Sequence, residues 1–266
     1  TLPTKSKTCV FDNQGSTMLD SQIIFIHIEK TAGTSLLESL IKPNVDSHQR
    51  TDVPSYIKVK NADCVSGHVP YGIHMIAQRP VEYVTMLRDP ISRAISWYYF
   101  IKDLDRTDLW KPHPLREYAD SVTLAEFYQN PQYSNRQTRF LAGWPYHKAY
   151  PVLHRSTMFK RSMLRAAKKH LRDCVAFGIQ DRFDDSVSLF QEVFGWDRYE
   201  PVPPKKATGD RPTLAEINEL NPTVLPELRK SHALDLELYQ YATELFEERL
   251  NRDSHSTAPK ASSQES

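Results

Sequence analysis

Apolar positions along the chain fall into short β-branched runs separated by longer amphipathic stretches, a pattern that predicts an α/β fold with a mostly parallel sheet. Ile23 to Ile28 is the first run of strand length; others begin at Tyr83 and at Cys174, and a shorter one lies near Cys64 to Ser66. Helical periodicity marks Thr123 to Asn130, Tyr133 to Ala142 and Met158 to Leu171. Ser231 to Leu250 reads as a closing amphipathic helix, with Leu234, Leu238, Tyr239, Ala242 and Leu245 on its apolar face. Residues 1–20 are polar and irregular, and Asp103 to Asp120, rich in Pro, His and charge, reads as a surface loop over a site. Pro201 to Gly209 breaks regular structure, and the Ser-rich stretch 253–266 is expected to be disordered. The expected organisation is one domain, residues 21–252, between irregular ends.

Composition narrows the function classes. With 266 residues and 39% hydrophobic, the chain can bury a sizeable core. Lys plus Arg number 34 against 33 Asp plus Glu, so no global basic field awaits nucleic acid or membrane and any anion site must be local. There is no apolar run long enough to span a bilayer. Cys9, Cys64 and Cys174 are odd in number and widely spaced, which fits neither a metal site nor a disulfide framework. The Asn221 sequon is closed by Pro222. Both absences point to a reducing, cytoplasmic setting. The alternative is a lumenal one whose signal or anchor is missing before Thr1.

The candidate chemistry starts where the first strand ends. Ile23-Ile-Phe-Ile-His-Ile-Glu-Lys30-Thr-Ala-Gly-Thr-Ser35 delivers a lysine and a hydroxyl-rich turn to a helix start. Ala32 and Gly33 permit a tight turn, and Thr34 and Ser35 are expected to cap a helix whose apolar positions begin at Leu36. A phosphate or sulfate there would meet free amides, Lys30 and hydroxyls together. A nucleotide-triphosphate loop needs glycines before its lysine, and no Gly-Lys pair occurs in the chain. A buried strand with an ordinary turn is the plain alternative. A second motif repeats the layout: Tyr83-Val-Thr-Met-Leu-Arg88-Asp-Pro-Ile-Ser-Arg93-Ala-Ile-Ser96 passes from strand to helix, with Asp89 as N-cap and Pro90 in the first turn. Arg88 and Ser96 could share an anion; a local salt bridge and core packing are the competing reading.

Together the motifs resemble the signature of sulfotransferases that use 3′-phosphoadenosine 5′-phosphosulfate, closest to the carbohydrate (Golgi-type, heparan-sulfate) branch and its bacterial relatives. Ser66-Gly-His68-Val-Pro, Asn135-Arg-Gln137-Thr-Arg139 and Phe177 to Ser186 extend the likeness, which runs in order from about Ile23 to about Leu250. The resemblance implies a P-loop-kinase-like sulfotransferase fold, with Lys30, Thr31, Ala32, Gly33, Thr34 and Ser35 around the 5′-phosphosulfate and Arg88 and Ser96 on the 3′-phosphate. The product is adenosine 3′,5′-bisphosphate, the mechanism asks for no metal, and the lumenal alternative becomes the Golgi.

Sulfuryl transfer needs a base on the acceptor hydroxyl and a cation on the leaving phosphate. Lys30 fits the cation and His68, at the family's matching position, the base. His74 is the main rival; His27, His113 and His147 compete less well, and Glu29 reads better as an ion-pair partner. Asn135, Gln137, Arg139 and His74 are candidates to orient the acceptor, against a solvated helix face as the bland reading. Lys205, Lys206 and Thr208 lie in a loop where related enzymes also meet the nucleotide. Lys168, Lys169 and His170 read as a helix C-terminus favoured by its dipole. The expected acceptor is a glycan, the alternatives being a small hydroxylated metabolite or a non-catalytic binding module of the same fold.

Overall fold

The computed structural model describes residues 10–11, 17–18, 21–45, 50–51, 63–77, 80–102, 113–203 and 212–256. Its sheet has five parallel strands: β3 (Gln22–Ile26), β4 (Arg50–Thr51), β5 (Cys64–Gly67), β6 (Val81–Leu87) and β7 (Ala176–Ile179), in the order β4-β5-β3-β6-β7. Parallel strands need crossovers on both faces, so alternate residues of each strand are buried on opposite sides. Ile24 and Ile26 face one core with Tyr83, Leu87 and Phe177, while Ile23 and Phe25 face the other with Val84 and Met86.

A helix over residues 33–44, α1, follows β3 and presents Leu36, Leu37, Leu40 and Ile41 to the second face, with α8 (Phe183–Phe194) beside it. The first face is covered by α5 (Arg136–Ala142), α7 (Thr157–Asp173) and α11 (Ala233–Ser256). In α11 the buried contacts are Leu238, Ala242 and Phe246, with Leu234, Tyr239 and Leu245 packed around them. A third, all-helical core joins α2 (Pro90–Lys102), α3 (Arg116–Ser121), α4 (Leu124–Gln129), α9 (Leu214–Leu220) and α10 (Val224–Ser231). The chain also forms α6 (Trp144–Leu153), which periodicity does not reveal.

Three boundaries differ from expectation. The N-terminal segment holds a short antiparallel pair, β1 (Val10–Phe11) with β2 (Thr17–Met18). The loop expected from Asp103 contains α3, and α11 continues four residues past 252. Lys205, Lys206 and Thr208, with residues 103–112 and 257–266, lie outside the described residues. Cys64 and Cys174 are buried free thiols; Cys9 is also outside.

The topology fixes where chemistry can occur. From β3 the chain builds β4 and β5 on one side, then crosses to β6 and β7 on the other. Such a switch leaves a crevice at the carboxyl ends of the central strands. Ile26 pairs with Gly67 and Thr85, so the segments after β3, β5 and β6 emerge together, carrying Lys30, His68 and Arg88.

Candidate active site

The loop after β3 has an unusual backbone. Lys30 and Ala32 have φ of 67° and 63°, with Thr31 between them outside the left-handed region. Alternation of this kind gathers amide N–H groups into an anion-binding concavity, and each left-handed L-residue costs roughly 1–2 kcal/mol. Thr31, wholly buried, donates its hydroxyl to the Ile28 carbonyl at 2.9 Å. Its remaining donor toward a ligand is the main-chain amide.

The helix starts at Gly33 with Ala32 as N-cap and no side-chain cap. Thr34 and Ser35 therefore do not cap it, because they follow the first orphan amides instead of preceding them. Together with Ser96 on α2, their hydroxyls have no hydrogen-bond partner among the described residues. Gly33 is required by space: a Cβ there would stand 2.3 Å from His27 Cδ2.

Arg88 brings the second motif to the same loop, its Nη1 donating to the Lys30 carbonyl at 3.3 Å. Asp89 accepts from Ser92 N at 2.7 Å and caps α2 as expected. Gln137 grips the Arg88 main chain from both sides, accepting from its N–H at 3.0 Å and donating to its carbonyl at 2.9 Å. The Arg88 Nε is buried without a partner among the described residues. Burial depresses the guanidinium pKa, against the pull of Asp181 and Asp89. A bound anion would relieve both conditions. The Lys30 ammonium lies 4.3 Å above the Phe100 ring, which is edged by His113.

The two leading histidines differ in tautomer. His68 is exposed at the end of β5, and its Nδ1 lies 2.6 Å from the His27 carbonyl. A carbonyl only accepts, so Nδ1 holds the proton and the neutral ring keeps a lone pair on Nε2. At His74 the order is reversed. Tyr83 Oη accepts from the Gly72 and His74 amides at 3.1 and 3.0 Å, leaving its own proton for His74 Nδ1 at 2.9 Å. Burial pushes the Tyr83 pKa up to about 12, so that proton stays. The lone pair of His74 is thus occupied while that of His68 is free. His27 stacks on Phe25 at 5.3 Å and packs against His68 at 4.8 Å, a supporting position.

Glu29 is engaged as an ion-pair partner. Burial would raise its pKa, but the Arg136 guanidinium, bonding both oxygens at 2.6 and 3.1 Å, holds it down to about 2. His147 is half-buried, and desolvation together with Arg139 and Arg136 lowers its pKa to about 3.

The acceptor-orienting reading of Asn135, Gln137 and Arg139 is corrected, since all three are internal, at 3%, 1% and 2% exposure. The Asn135 amide donates to Tyr150 Oη and the Ser231 carbonyl and accepts from the Leu234 and Asp235 amides. Arg139 Nη1 and Nη2 tie the carbonyls of Gln132 and His147. Gln137 holds Arg88. Sequence reading did not single out Tyr83, Phe100 or Arg136 for these roles; Tyr83 and Phe100 border the second motif, but their partners come from other segments. Among the described residues, no group of three His, Cys, Asp or Glu is arranged around a metal position, and no helix is long and apolar enough to cross a membrane.

A family model described as "Sulfotransferase family" matches residues 17–242. Heparan-sulfate 6-O-sulfotransferase 1 of Cricetulus griseus is 26% identical, over 90% of this chain and 69% of that protein. Heparan-sulfate 6-O-sulfotransferase 2 of Homo sapiens is 25% identical over 90% of the chain and 46% of its own length. Heparan-sulfate 6-O-sulfotransferase 1-B of Danio rerio reaches 29% over 64% of the chain and 45% of its own length.

Proposed function

This chain belongs to the sulfotransferase family and is an enzyme of that class, and we propose that it moves a sulfuryl group from 3′-phosphoadenosine 5′-phosphosulfate to a hydroxyl of a heparan-sulfate-like glycan. The relatives supply the acceptor class. A glycan of that class favours the Golgi lumen over the cytoplasm as its place of action.

The donor's 5′ end would lie in the loop from Lys30 to Ser35, with its 3′-phosphate toward Arg88 and Ser96. As the acceptor oxygen attacks sulfur, its proton passes to His68 Nε2, the new S–O bond forms, and the bond from sulfur to the phosphate oxygen breaks. Charge growing on that oxygen is met by Lys30 and the loop amides, so positioning and electrostatics supply most of the acceleration. The observation that carries this reading is the hydrogen bond from His68 Nδ1 to the His27 carbonyl, which aims a free lone pair from the strand end beside Lys30.

The test is transfer of labelled sulfate from the intact donor to heparan sulfate, neutral oligosaccharides and small alcohols, with mass spectrometry locating the added group. Sulfated heparan sulfate is the expected product. Transfer to small alcohols alone would establish a metabolite enzyme. Nucleotide binding without transfer to any acceptor would establish a binding module.

A further inference from the structure

Near-neutrality conceals a one-signed segment: residues 127–172 contain ten Lys or Arg and no Asp or Glu, in a chain with 33 acids over 266 residues. Arg136 and Arg139 are used internally, Lys168 pairs with Glu237 and Lys169 with Asp173. Lys148 lies 5.4 Å from the Trp144 ring. Arg155, Arg161 and Arg165 are exposed and make no ion pair or hydrogen bond with another described residue.

The exposed cations lie on two joined helices, with Arg155 in the turn between them. On α6, Trp144, Lys148 and Val152 are exposed at four-residue spacing, and on α7 so are Arg161, Arg165 and Lys169. That spacing advances about 6 Å per step along each helix, on the scale of one sugar residue in a linear chain. Tyr146 Oη and Ser162 Oγ, 2.7 Å apart, tie the helices together. Both reach the segment that carries the candidate base: Trp144 N donates to the Tyr71 carbonyl at 3.3 Å, and His170 stacks on Tyr71 at 3.7 Å.

We propose that the outward faces of α6 and α7 bind the flanking stretch of a linear polyanionic glycan whose acceptor sugar lies at His68, an inference that rests on the carbohydrate-sulfotransferase reading. An anionic membrane is the competing partner, because Val152, Leu153 and Met158 are exposed at the turn between the helices. The apolar side of α7, however, is spent on the core through Met163, Leu164, Ala167 and Leu171, leaving a charged face and no apolar stripe for insertion. A glycan track needs only the charges and their continuity with the site.

The experiment uses the full chain saturated with adenosine 3′,5′-bisphosphate and a heparan sulfate dodecasaccharide as probe. Arg155→Ala, Arg161→Ala and Arg165→Ala combined should weaken dodecasaccharide binding about tenfold at low salt and flatten its salt dependence. Nucleotide affinity and turnover on a disaccharide acceptor should stay unchanged, and the triple Lys variant should restore binding. Unchanged dodecasaccharide affinity in the triple Ala variant, with nucleotide binding intact, overturns the surface alone. Wild-type binding to phosphatidylserine vesicles through these arginines, without dodecasaccharide binding, overturns it in favour of a membrane. Wild-type protein that binds the glycan but not the nucleotide would refute the acceptor-site connection and the underlying reading together.

Discussion

Asn135 and Asp235 each close the start of the helix that bears or follows the other. Asn135, the N-cap residue of α5, accepts from the Leu234 and Asp235 amides at the start of α11. Asp235 accepts from the Gln137 and Thr138 amides at the start of α5, at 3.2 and 2.7 Å, and from the Thr138 hydroxyl at 2.7 Å. Asn135, Asp235, Gln137 and Thr138 are buried and Leu234 half-buried, and the locked helix is the one whose Gln137 grips Arg88.

Removing that lock should be costly. Asp235→Ala leaves three buried donors without their acceptor and is expected to lower unfolding free energy by about 2–4 kcal/mol in urea titration. Asp235→Asn keeps one acceptor oxygen and should lose roughly half as much. Equal stability of Asp235→Ala and wild type would contradict the capping role.

Arg88→Ala should weaken adenosine 3′,5′-bisphosphate binding by about 1.5–3 kcal/mol, the scale of a hydrogen bond to a charged group. Wild type should bind the analogue lacking the 3′-phosphate much more weakly, with the gap shrinking in Arg88→Ala. Calorimetry finding no discrimination by wild type would instead indicate an ordinary adenylate site.

His68→Ala should lower turnover roughly 10²–10⁴-fold with nucleotide affinity nearly intact, whereas Lys30→Ala should damage both. His74→Ala should leave the base in place, since Tyr83 already occupies the His74 lone pair. Full activity in His68→Ala with none in a folded His74→Ala would reverse the assignment.

Stability should fall in acid through two windows. Burial and Arg93 lower the His232 pKa to about 4, against the pull of Asp235, and His147 is lowered to about 3. The unfolded chain therefore takes up protons first as pH drops below about 6.5, and stability present above that value is lost toward these folded pKa values. Glu29, ionised down to about 2, adds a second loss below about 4.5. His232→Gln should flatten the dependence of the urea midpoint on pH between about 6.5 and 4; an unaltered slope would count against His232 as a source.

What the sequence made legible was local. The β3 run and the Asp89-Pro90 helix start are contiguous signals, and each forms as expected. Thr34 and Ser35 misled because their composition suggests a cap, while the cap position belongs to Ala32 in a left-handed turn. The helix α6 escaped detection because Pro145 and Pro151 read as breakers, although one falls in the first turn and the other is accommodated inside. Asn135, Gln137 and Arg139 have the chemistry of ligand donors, but their burial is decided in three dimensions. For Asn135 and Gln137, the decisive partners lie near residue 235 and at Arg88. A short motif carries no information about contacts that distant.

The paired left-handed residues Lys30 and Ala32 set a conflict between resting durability and affinity. Their strain is met once, when the chain folds, so an arriving anion finds the turn already shaped and forfeits little motional freedom in binding. Glycine at position 32 would relax that strain and yet let the ligand-free loop wander. A sturdier empty protein would then be the poorer host, and selection for thermal endurance alone would erode the site.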